Sequence, residues 1–251
     1  MEIVERVADW RATRRRLTGT LGFVPTMGAL HAGHLSLIDR SLAENDATLV
    51  SIFVNPTQFD NADDLAGYPD RTAEDRAQLV ARGVPFLWLP RRDELYADDY
   101  RYRVSEHAFS RTLCGAHRPG HFDGVLTVVL KLLNVARADR AYFGEKDYQQ
   151  LQLVKGMVDA FFLPTEIVGC PTIREDDGLA LSSRNLKLAP HDRAKAAAFP
   201  RALGTAATAA EARASLEAQG FAVDYVEDRA GRRFGAVRIG DVRLIDNVVL
   251  G

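Results

Sequence analysis

The sequence predicts an α/β protein in which a doubly wound parallel sheet is followed by a small α+β domain. Over residues 1–171, short apolar segments rich in β-branched residues alternate with amphipathic segments. This alternation is typical of parallel strands that are joined by helices. After Pro171 it stops, and an alanine-rich stretch precedes three strand-like segments. We therefore expect two domains, at residues 1–171 and 172–251.

The larger domain is expected to begin with a helix, because Val4, Val7 and Trp10 have helical spacing and acidic residues precede the arginines of residues 11–16. Strands are expected at the short apolar runs 21–24, 48–54, 84–89, 141–143 and 167–170. Further helices are expected at 35–43, 72–82, 125–135 and 148–162. The stretch from Thr72 to Asp75 resembles a capping box and would begin the second of these helices.

The smaller domain is expected to combine helix with an antiparallel meander. Its helical region would run from about residue 190 to 219. Three strands would follow, at 221–226, 234–239 and 242–250. Asp228 to Arg232 and Gly240-Asp241 have the composition of hairpin turns.

Composition argues against several broad classes of protein. The 251 residues include 32 Lys+Arg and 34 Asp+Glu, so the formal net charge of −2 lacks the basic excess of a nucleic-acid-binding protein. No apolar run reaches the ~20 residues of a membrane helix, and no secretory signal is evident. Cys114 and Cys170 form no metal motif. We expect them to be packing residues of a reduced, cytoplasmic protein.

The segment from Pro25 to His34 carries the strongest functional signal. It lies between an apolar strand and an amphipathic helix, and its His31-Ala32-Gly33-His34 sequence places two histidines on the first helical turn. A helix N-terminus with two imidazole donors suits a nucleotide polyphosphate, and Gly33 would let a nucleoside approach bare backbone. The alternative is a pair of surface or metal-binding histidines, but metal pairs on helices are usually spaced four apart.

Two further segments could bind a polyphosphate. Lys146 follows a predicted strand and could reach a phosphate, or it could be a solvated surface lysine. Asp147 could accept a ribose hydroxyl or cap the next helix, and the sequence leaves both roles open. Ser182, Ser183 and Arg184 could form an anion cradle or an N-cap.

The segment from Phe53 to Phe59 ends a predicted strand with two amides, Asn55 and Gln58. Amides suit a hydroxylated ligand, although the segment could also be a polar turn. Arg118 to Val125 would form a loop that begins a long apolar helix. Neither GxGxxG nor GxxxxGK[ST] occurs, which argues against dinucleotide oxidoreductases and P-loop enzymes.

In combination these segments closely resemble the pantothenate synthetase family, which belongs to the HxGH nucleotidyltransferase superfamily. The resemblance runs from about Leu21 to Asn185 and resumes at Leu244 to Asn247. It is carried by the motifs PTMGALHxGH, FVNPxQF, RPGHFxGVxTVV, YFGEKDYQQ and GLAxSSRN. The resemblance implies a Rossmann-like sheet and a ligase that converts pantoate, ATP and β-alanine into pantothenate, AMP and pyrophosphate through a pantoyl adenylate.

The resemblance also implies roles for individual residues. Those expected to act on the ATP phosphates and ribose are His31, His34, Lys146, Ser182, Ser183 and Arg184. Those expected at the nucleoside or the reacting centre are Met27, Gly33, Gly144 and Asp147. Those expected to bind pantoate or, for Asn55, to lie near β-alanine are Gln58, Gln150, Asn55, Phe143, Val128 and Val129. Mg²⁺ would arrive bound to ATP, no protein ligand to it is assigned, and the protein would be a homodimer.

Three departures from the family pattern stand out. Asp123 and Leu181 occupy positions where other residue types are commoner, and the C-terminal part, which would form a lid over the nucleotide, is shorter than usual. Three alternative functions remain: a nucleotidyltransferase acting on a phosphorylated substrate, a class I tRNA synthetase, and a degenerate nucleotide-binding regulator. The apolar stretch from Val125 to Val129 and the paired glutamines argue against the first. Length and acidic balance argue against the second, and retention of both histidines argues against the third.

Overall fold

The structure, a computed structural model, describes residues 1–60 and 62–251. Its main sheet has six parallel strands in the order β1-β4-β3-β2-β5-β6. They are β1 (Glu2–Val4), β2 (Leu21–Thr26), β3 (Ala47–Ile52), β4 (Phe86–Trp88), β5 (Arg140–Gly144) and β6 (Glu166–Cys170). Because the strand order reverses direction between β2 and β5, this is the point where a doubly wound sheet opens a crevice.

Helices cover both faces of this sheet, as the sequence predicts. They are α1 (Val7–Arg16), α2 (Ala32–Glu44), α3 (Ala62–Ala66), α4 (Thr72–Ala81), α5 (Arg92–Leu95), α6 (Cys114–His117), α7 (His121–Ala136) and α8 (Tyr148–Ala160). Phe23 of β2 packs into the core shared with α1, α7 and α8, whereas the next residue, Val24, packs against α2 and α4. Burial on both faces explains why these strands are continuously apolar.

The C-terminal part contains three helices and an antiparallel sheet. The helices are α9 (Pro190–Ala196), α10 (Ala198–Thr205) and α11 (Ala209–Ala218), and the strands are β7 (Ala222–Arg229), β8 (Arg232–Ile239) and β9 (Val242–Val249). Residues of β8 alternate, so that Phe234 packs on the main core while Val237 packs on the helices. Ala230, Gly231 and Gly240 have positive φ, so both predicted hairpin turns are confirmed.

Two predictions about local structure are wrong. Val4 belongs to strand β1, where it pairs with Trp88, and the first helix begins only at Val7. Pairing with β4 therefore outweighs a helical spacing of three residues. Thr72 does not cap α4, because its own N–H and hydroxyl donate to Asp70. Asp75, the supposed last member of that capping box, instead accepts from a distant loop.

The predicted division at residues 171 and 172 remains a prediction. In the part of the chain that the structure describes, no helix is long and apolar enough to cross a membrane.

Candidate active site

A cavity of about 450 Å³ lies at the carboxyl ends of β2, β3 and β5, between the parallel sheet and the C-terminal strands. All the residues singled out as site candidates line it. They are Met27, His31, Gly33, His34, Asn55, Gln58, Val128, Val129, Phe143, Gly144, Lys146, Asp147, Gln150, Ser182, Ser183 and Arg184. Segments that are up to 157 residues apart (27 to 184) thus meet at one crevice.

The turn after β2 is held by a buried carboxylate that sequence reasoning missed. Gly28 and Ala29 have positive φ values of 81° and 50°, which turn the chain sharply away from the strand. Asp75, only 1% exposed, accepts from the N–H groups of Ala29 at 2.8 Å and Leu30 at 2.7 Å. Its burial raises the pKa of that carboxyl. Nothing local in the sequence indicates this contact between α4 and the turn.

The two histidines cap α2, and backbone N–H groups fix which ring nitrogen of each carries the proton. His31 is the N-cap residue, and its Nδ1 accepts from the Gly33 N–H at 3.1 Å. The Nδ1 of His34 accepts from the His31 N–H at 3.4 Å. Since an acceptor nitrogen carries no proton, each neutral ring carries its proton on Nε2. The ring centroids lie 4.1 Å apart, so the pair presents two neighbouring N–H donors.

Both rings are neutral at pH 7. Burial, with a further contribution from the positive charge of Lys146, lowers the pKa of His31 to about 4. Burial and the neighbouring His31 lower the pKa of His34 to about 3, and the opposing effect of Asp147 is smaller than that of burial. The histidines therefore offer hydrogen-bond donors without a positive charge.

Lys146 lies in a short 3₁₀ helix, Glu145–Asp147, that follows β5. Among the described residues its ammonium group makes no hydrogen bond or ion pair, so it is available to an anion. Asp147 is exposed and makes no capping bond to α8 within the described chain. The capping alternative for Asp147 is therefore wrong, and the ribose alternative remains.

The serine pair and Arg184 line the same cavity from the C-terminal part of the chain. Ser182 Oγ accepts from the Arg184 N–H at 3.3 Å and caps the 3₁₀ helix Ser183–Lys187, so the N-cap alternative holds for this residue. Arg184 Nη2 lies 3.0 Å from Asp64, which also accepts from Lys187 at 3.2 Å. Burial alone would raise the pKa of Asp64, but the two cations lower it. Arg184 thus already has an anionic partner.

The amide end of the cavity is a connected network. Asn55 is 1% exposed, and its oxygen accepts from Tyr96 Oη at 2.7 Å while its nitrogen donates to Gln58 Oε1 at 3.1 Å and Gly124 O at 3.2 Å. Gln58 in turn donates to Met27 Sδ at 3.1 Å. Among the described residues, the side chain of Gln150 has no partner. Asn55 therefore positions Gln58, and the two glutamines face the cavity.

The wall next to these amides is apolar. Val128 and Val129 of α7 are 4% and 6% exposed, and Phe143 at the end of β5 is 5% exposed. A ligand placed here would combine an apolar body with polar groups that reach Gln58 and Gln150.

His121 and Arg118 also line the cavity and are hydrogen-bonded to each other. They come from the segment before α7, to which the sequence analysis gave no functional role. Arg118 donates to His121 Nε2 at 3.1 Å, so the ring proton lies on Nδ1 and is donated to Gln58 O at 2.8 Å. Burial and Arg118 lower the pKa of His121 to about 4. This tautomer is the opposite of that in His31 and His34.

Both cysteines are buried free thiols, as expected. Cys114 contacts Tyr225 Oη at 3.0 Å, whereas Cys170 lies 3.4 Å from Arg40. Within residues 1–60 and 62–251, no group of three or more His, Cys, Asp or Glu side chains could hold a metal ion.

Comparisons with known proteins find similar sequences over nearly the whole chain. The profile of one family, described as pantoate-beta-alanine ligase, matches residues 1–249. The chain is 55% identical to the pantothenate synthetase of Bdellovibrio bacteriovorus, covering 98% of both chains. It is 50% identical to that of Legionella pneumophila strain Lens, over the full length of both.

Solved structures show the same relationship. The pantoate-beta-alanine ligase of Francisella tularensis, complexed with beta-gamma ATP and beta-alanine, superposes with a TM-score of 0.95 at 41% identity, covering 99% of this chain and 97% of that one. The pantothenate synthetase of Thermus thermophilus gives a TM-score of 0.92 at 42% identity, with 99% of each chain covered. The short C-terminal part is therefore shared with relatives of matching length.

Proposed function

The chain belongs to the pantoate–β-alanine ligase family, whose reaction is the ATP-dependent condensation of pantoate with β-alanine, and we propose that its cavity performs this reaction through a pantoyl adenylate. A pantoate carboxylate oxygen would attack the α-phosphorus of ATP. The bond from that phosphorus to the bridging oxygen would break, and pyrophosphate would leave. The β-alanine nitrogen would then attack the acyl carbon, AMP would leave with the electron pair, and the nitrogen would lose a proton to water.

One observation supports this proposal above the others, namely that the cavity has two chemically different ends joined at Met27. One end offers uncharged Nε2–H donors and the free ammonium of Lys146. The other offers an apolar wall and the amides of Gln58 and Gln150. Gln58 contacts Met27 Sδ at 3.1 Å, and Met27 lies on the turn that leads from β2 to His31. A carboxylate held by the glutamines would therefore lie next to the phosphates.

The proposed roles follow from this layout. His31, His34, Lys146, Ser182, Ser183 and Arg184 would hold the phosphates, and Gly33, Gly144 and Asp147 would contact the nucleoside. Gln58 and Gln150 would bind the polar groups of pantoate, against Val128, Val129 and Phe143. Because carboxylate attack on phosphorus needs little proton transfer, donors and cations aligned on the growing charge suffice. To bind phosphate, Arg184 would have to give up its ion pair with Asp64 and bind phosphate oxygens in its place.

Mg²⁺ would enter bound to the ATP phosphates, with no dedicated protein cage. We place the reaction in the cytoplasm, where buried free thiols such as Cys114 and Cys170 stay reduced. A homodimer is also proposed. Its support is an exposed aromatic pair beside edge strand β6, in which Phe161 and Phe162 are 52% and 92% exposed. Sedimentation of Phe162→Ser tests it, since the variant should shift towards monomer.

Isotope exchange tests the chemistry. Labelled pyrophosphate should enter ATP when the protein is given pantoate and no β-alanine, because the first step stands alone. Without pantoate there should be no exchange. Exchange that requires β-alanine would mean that no free-standing adenylate forms. Exchange without pantoate would mean a covalent adenylyl-enzyme, which would contradict the roles given to His31 and His34.

A further inference from the structure

The backbone of Lys146 is hydrogen-bonded to a side chain of the C-terminal strand β9. The 3₁₀ helix that carries Lys146 is three residues long, and such short segments have few hydrogen bonds of their own. Asn247 Nδ2 donates to both Glu145 O, at 2.9 Å, and Lys146 O, at 3.0 Å. The side-chain amide of Asn247 therefore binds two consecutive backbone carbonyl groups, those of Glu145 and Lys146. The side chain of Lys146 lines the part of the cavity proposed to bind phosphate.

Asn247 is itself held in a single orientation. It is 4% exposed, and its Oδ1 accepts from Arg232 Nη1 at 2.6 Å. Because both partners of the nitrogen are carbonyls and the partner of the oxygen is a guanidinium, the amide cannot be flipped. Asp246 accepts from the Asn247 N–H at 2.8 Å and is clamped by Arg174 through contacts of 2.6 and 2.9 Å.

Arg232 also directly contacts the 3₁₀ helix that carries Lys146. Its guanidinium lies 3.1 Å from Glu145 Oε2 and 4.1 Å above the centre of the Tyr148 ring. Both Asn247 and Arg232 belong to the C-terminal sheet, whereas Lys146 lies in the 3₁₀ helix that follows β5 of the parallel sheet. The two parts of the chain therefore meet at the lysine's backbone through part-buried hydrogen bonds centred on the buried amide of Asn247, whose partners are costly to leave unpaired.

We propose that Asn247 is a positioning residue for Lys146, through which the C-terminal sheet sets the lysine for pyrophosphate release. The inference rests on the phosphate role proposed above for Lys146. Asn247 lines the cavity, but its amide oxygen and nitrogen are both engaged by protein groups. Its effect would therefore pass through the carbonyls of Glu145 and Lys146. Loss of its amide donors should therefore weaken the adenylation step while leaving pantoate binding unchanged.

The test is a double-mutant cycle read by pantoate-dependent pyrophosphate exchange. Asn247→Asp keeps the size of the side chain and its acceptor for Arg232, but presents an oxygen to two carbonyls. Alone, this substitution should lower the rate of pyrophosphate exchange on the order of tenfold to a hundredfold. A loss of that size corresponds to the free-energy cost of leaving buried carbonyl groups without hydrogen-bond donors. In a Lys146→Ala background the same change should lower exchange less than about twofold, because residues that act as a unit are not additive. Asn134→Asp, at an exposed position of α7, is the matched control.

The possible results separate a positioning role of Asn247 from a purely structural one. Equal losses in both backgrounds, or a raised KM for pantoate, would make Asn247 a merely structural residue and overturn the inference. If Lys146→Ala by itself leaves exchange unchanged, the phosphate role of Lys146 fails instead, which is a distinguishable result. Should Asn247→Asp not fold, Asn247→Ser retains one donor, and the same non-additivity with Lys146→Ala is expected.

Discussion

At the scale of single residues, the distinctive feature is a pair of histidines whose Nδ1 atoms both accept backbone N–H groups. Nitrogen-15 NMR of labelled histidine should show His31 and His34 as neutral Nε2–H tautomers from pH 8 down to about 5, since their pKa values are about 4 and 3. His121 should show the opposite Nδ1–H tautomer. Signals are assigned from their loss in single His→Gln variants. An imidazolium signal from His31 or His34 near neutral pH would contradict this interpretation.

The same pKa shifts affect stability. As pH falls, the unfolded chain binds protons at these histidines first, near 6.5, while the folded chain resists until about 4. Their contribution to the free energy of unfolding is therefore complete above pH 6.5 and declines below it.

His31→Ala and His34→Ala should each lower pantoate-dependent pyrophosphate exchange by roughly two to three orders of magnitude, as for loss of one donor to a transition state. His191→Ala is the control, because that side chain is 86% exposed on α9. Near-wild-type exchange in both variants would remove the histidines from the reaction.

At this scale the sequence identifies which residues meet at the cavity but not how they are held. The histidine pair could be found because it follows a strand and begins a helix. Asp75 could not, since its contacts with Ala29 and Leu30 span 46 and 45 positions, respectively. Asn55 was expected near a ligand, yet its amide is fully engaged with protein groups.

At the scale of elements, α7 packs closely against the 3₁₀ helix Pro56–Gln58, and the residue of α7 at the point of contact is Gly124. A Cβ on Gly124 would lie 2.3 Å from Thr57 O. Gly124→Ala should therefore displace the segment that carries Gln58, raise the KM for pantoate and destabilise the fold by about 1–3 kcal/mol. Gly156→Ala on α8 is the control, because its Cβ would meet no described atom within 4 Å. Equal pantoate KM values in the two variants would contradict this account of α7.

The apolar face of α7 makes a separate prediction. Val128→Asp should damage pantoate use more than ATP binding, because a carboxylate in the apolar wall is poorly solvated. The measurement compares pantoate KM with ATP affinity in the folded variant. Val80→Asp is the control, since that valine is 60% exposed. Unchanged pantoate KM would mean that the pocket lies elsewhere.

Most strands were predictable because residues buried on both faces give continuous apolar runs, as in β2 and β3. The exceptions have physical causes. Strand β1 spans three residues and is defined by pairing with β4. The segment from Thr72 to Asp75 has residue types that suit a capping box, but the Asp75 carboxylate binds backbone N–H groups of the turn after β2 instead. The alanine-rich region was predicted to hold one or two helices, whereas the structure divides it into α9, α10 and α11. The alanines on both sides of each break give no periodic signal that marks it.

At the scale of the whole molecule, the C-terminal part has its own core around Phe199, Leu203 and Val237 and meets the parallel sheet around the cavity. The sequence signals this part by its change of pattern. It does not signal the contacts made by Asn247 and Arg174, which depend on how the two sheets meet. Some of the contacts are weak, since the partly exposed pair of Arg184 and Asp64 is of a kind that contributes little to stability.

That arrangement predicts a lid. We expect residues 172–251 to close over the nucleotide about the contacts of Asn247 with Glu145 and Lys146, which stay paired. The weak ion pair of Arg184 with Asp64 at the cavity rim would open, while the core of the C-terminal part stays intact. Hydrogen exchange should slow in Ser183–Lys187 and β9 when ATP is added, as phosphates replace Asp64 on Arg184 and exclude water. Exchange in α10, whose apolar residues pack within the C-terminal core, is the internal control and should not change. Identical protection of residues 181–251 with and without ATP would mean that the C-terminal part is fixed, and the cavity would then have to admit ATP without opening.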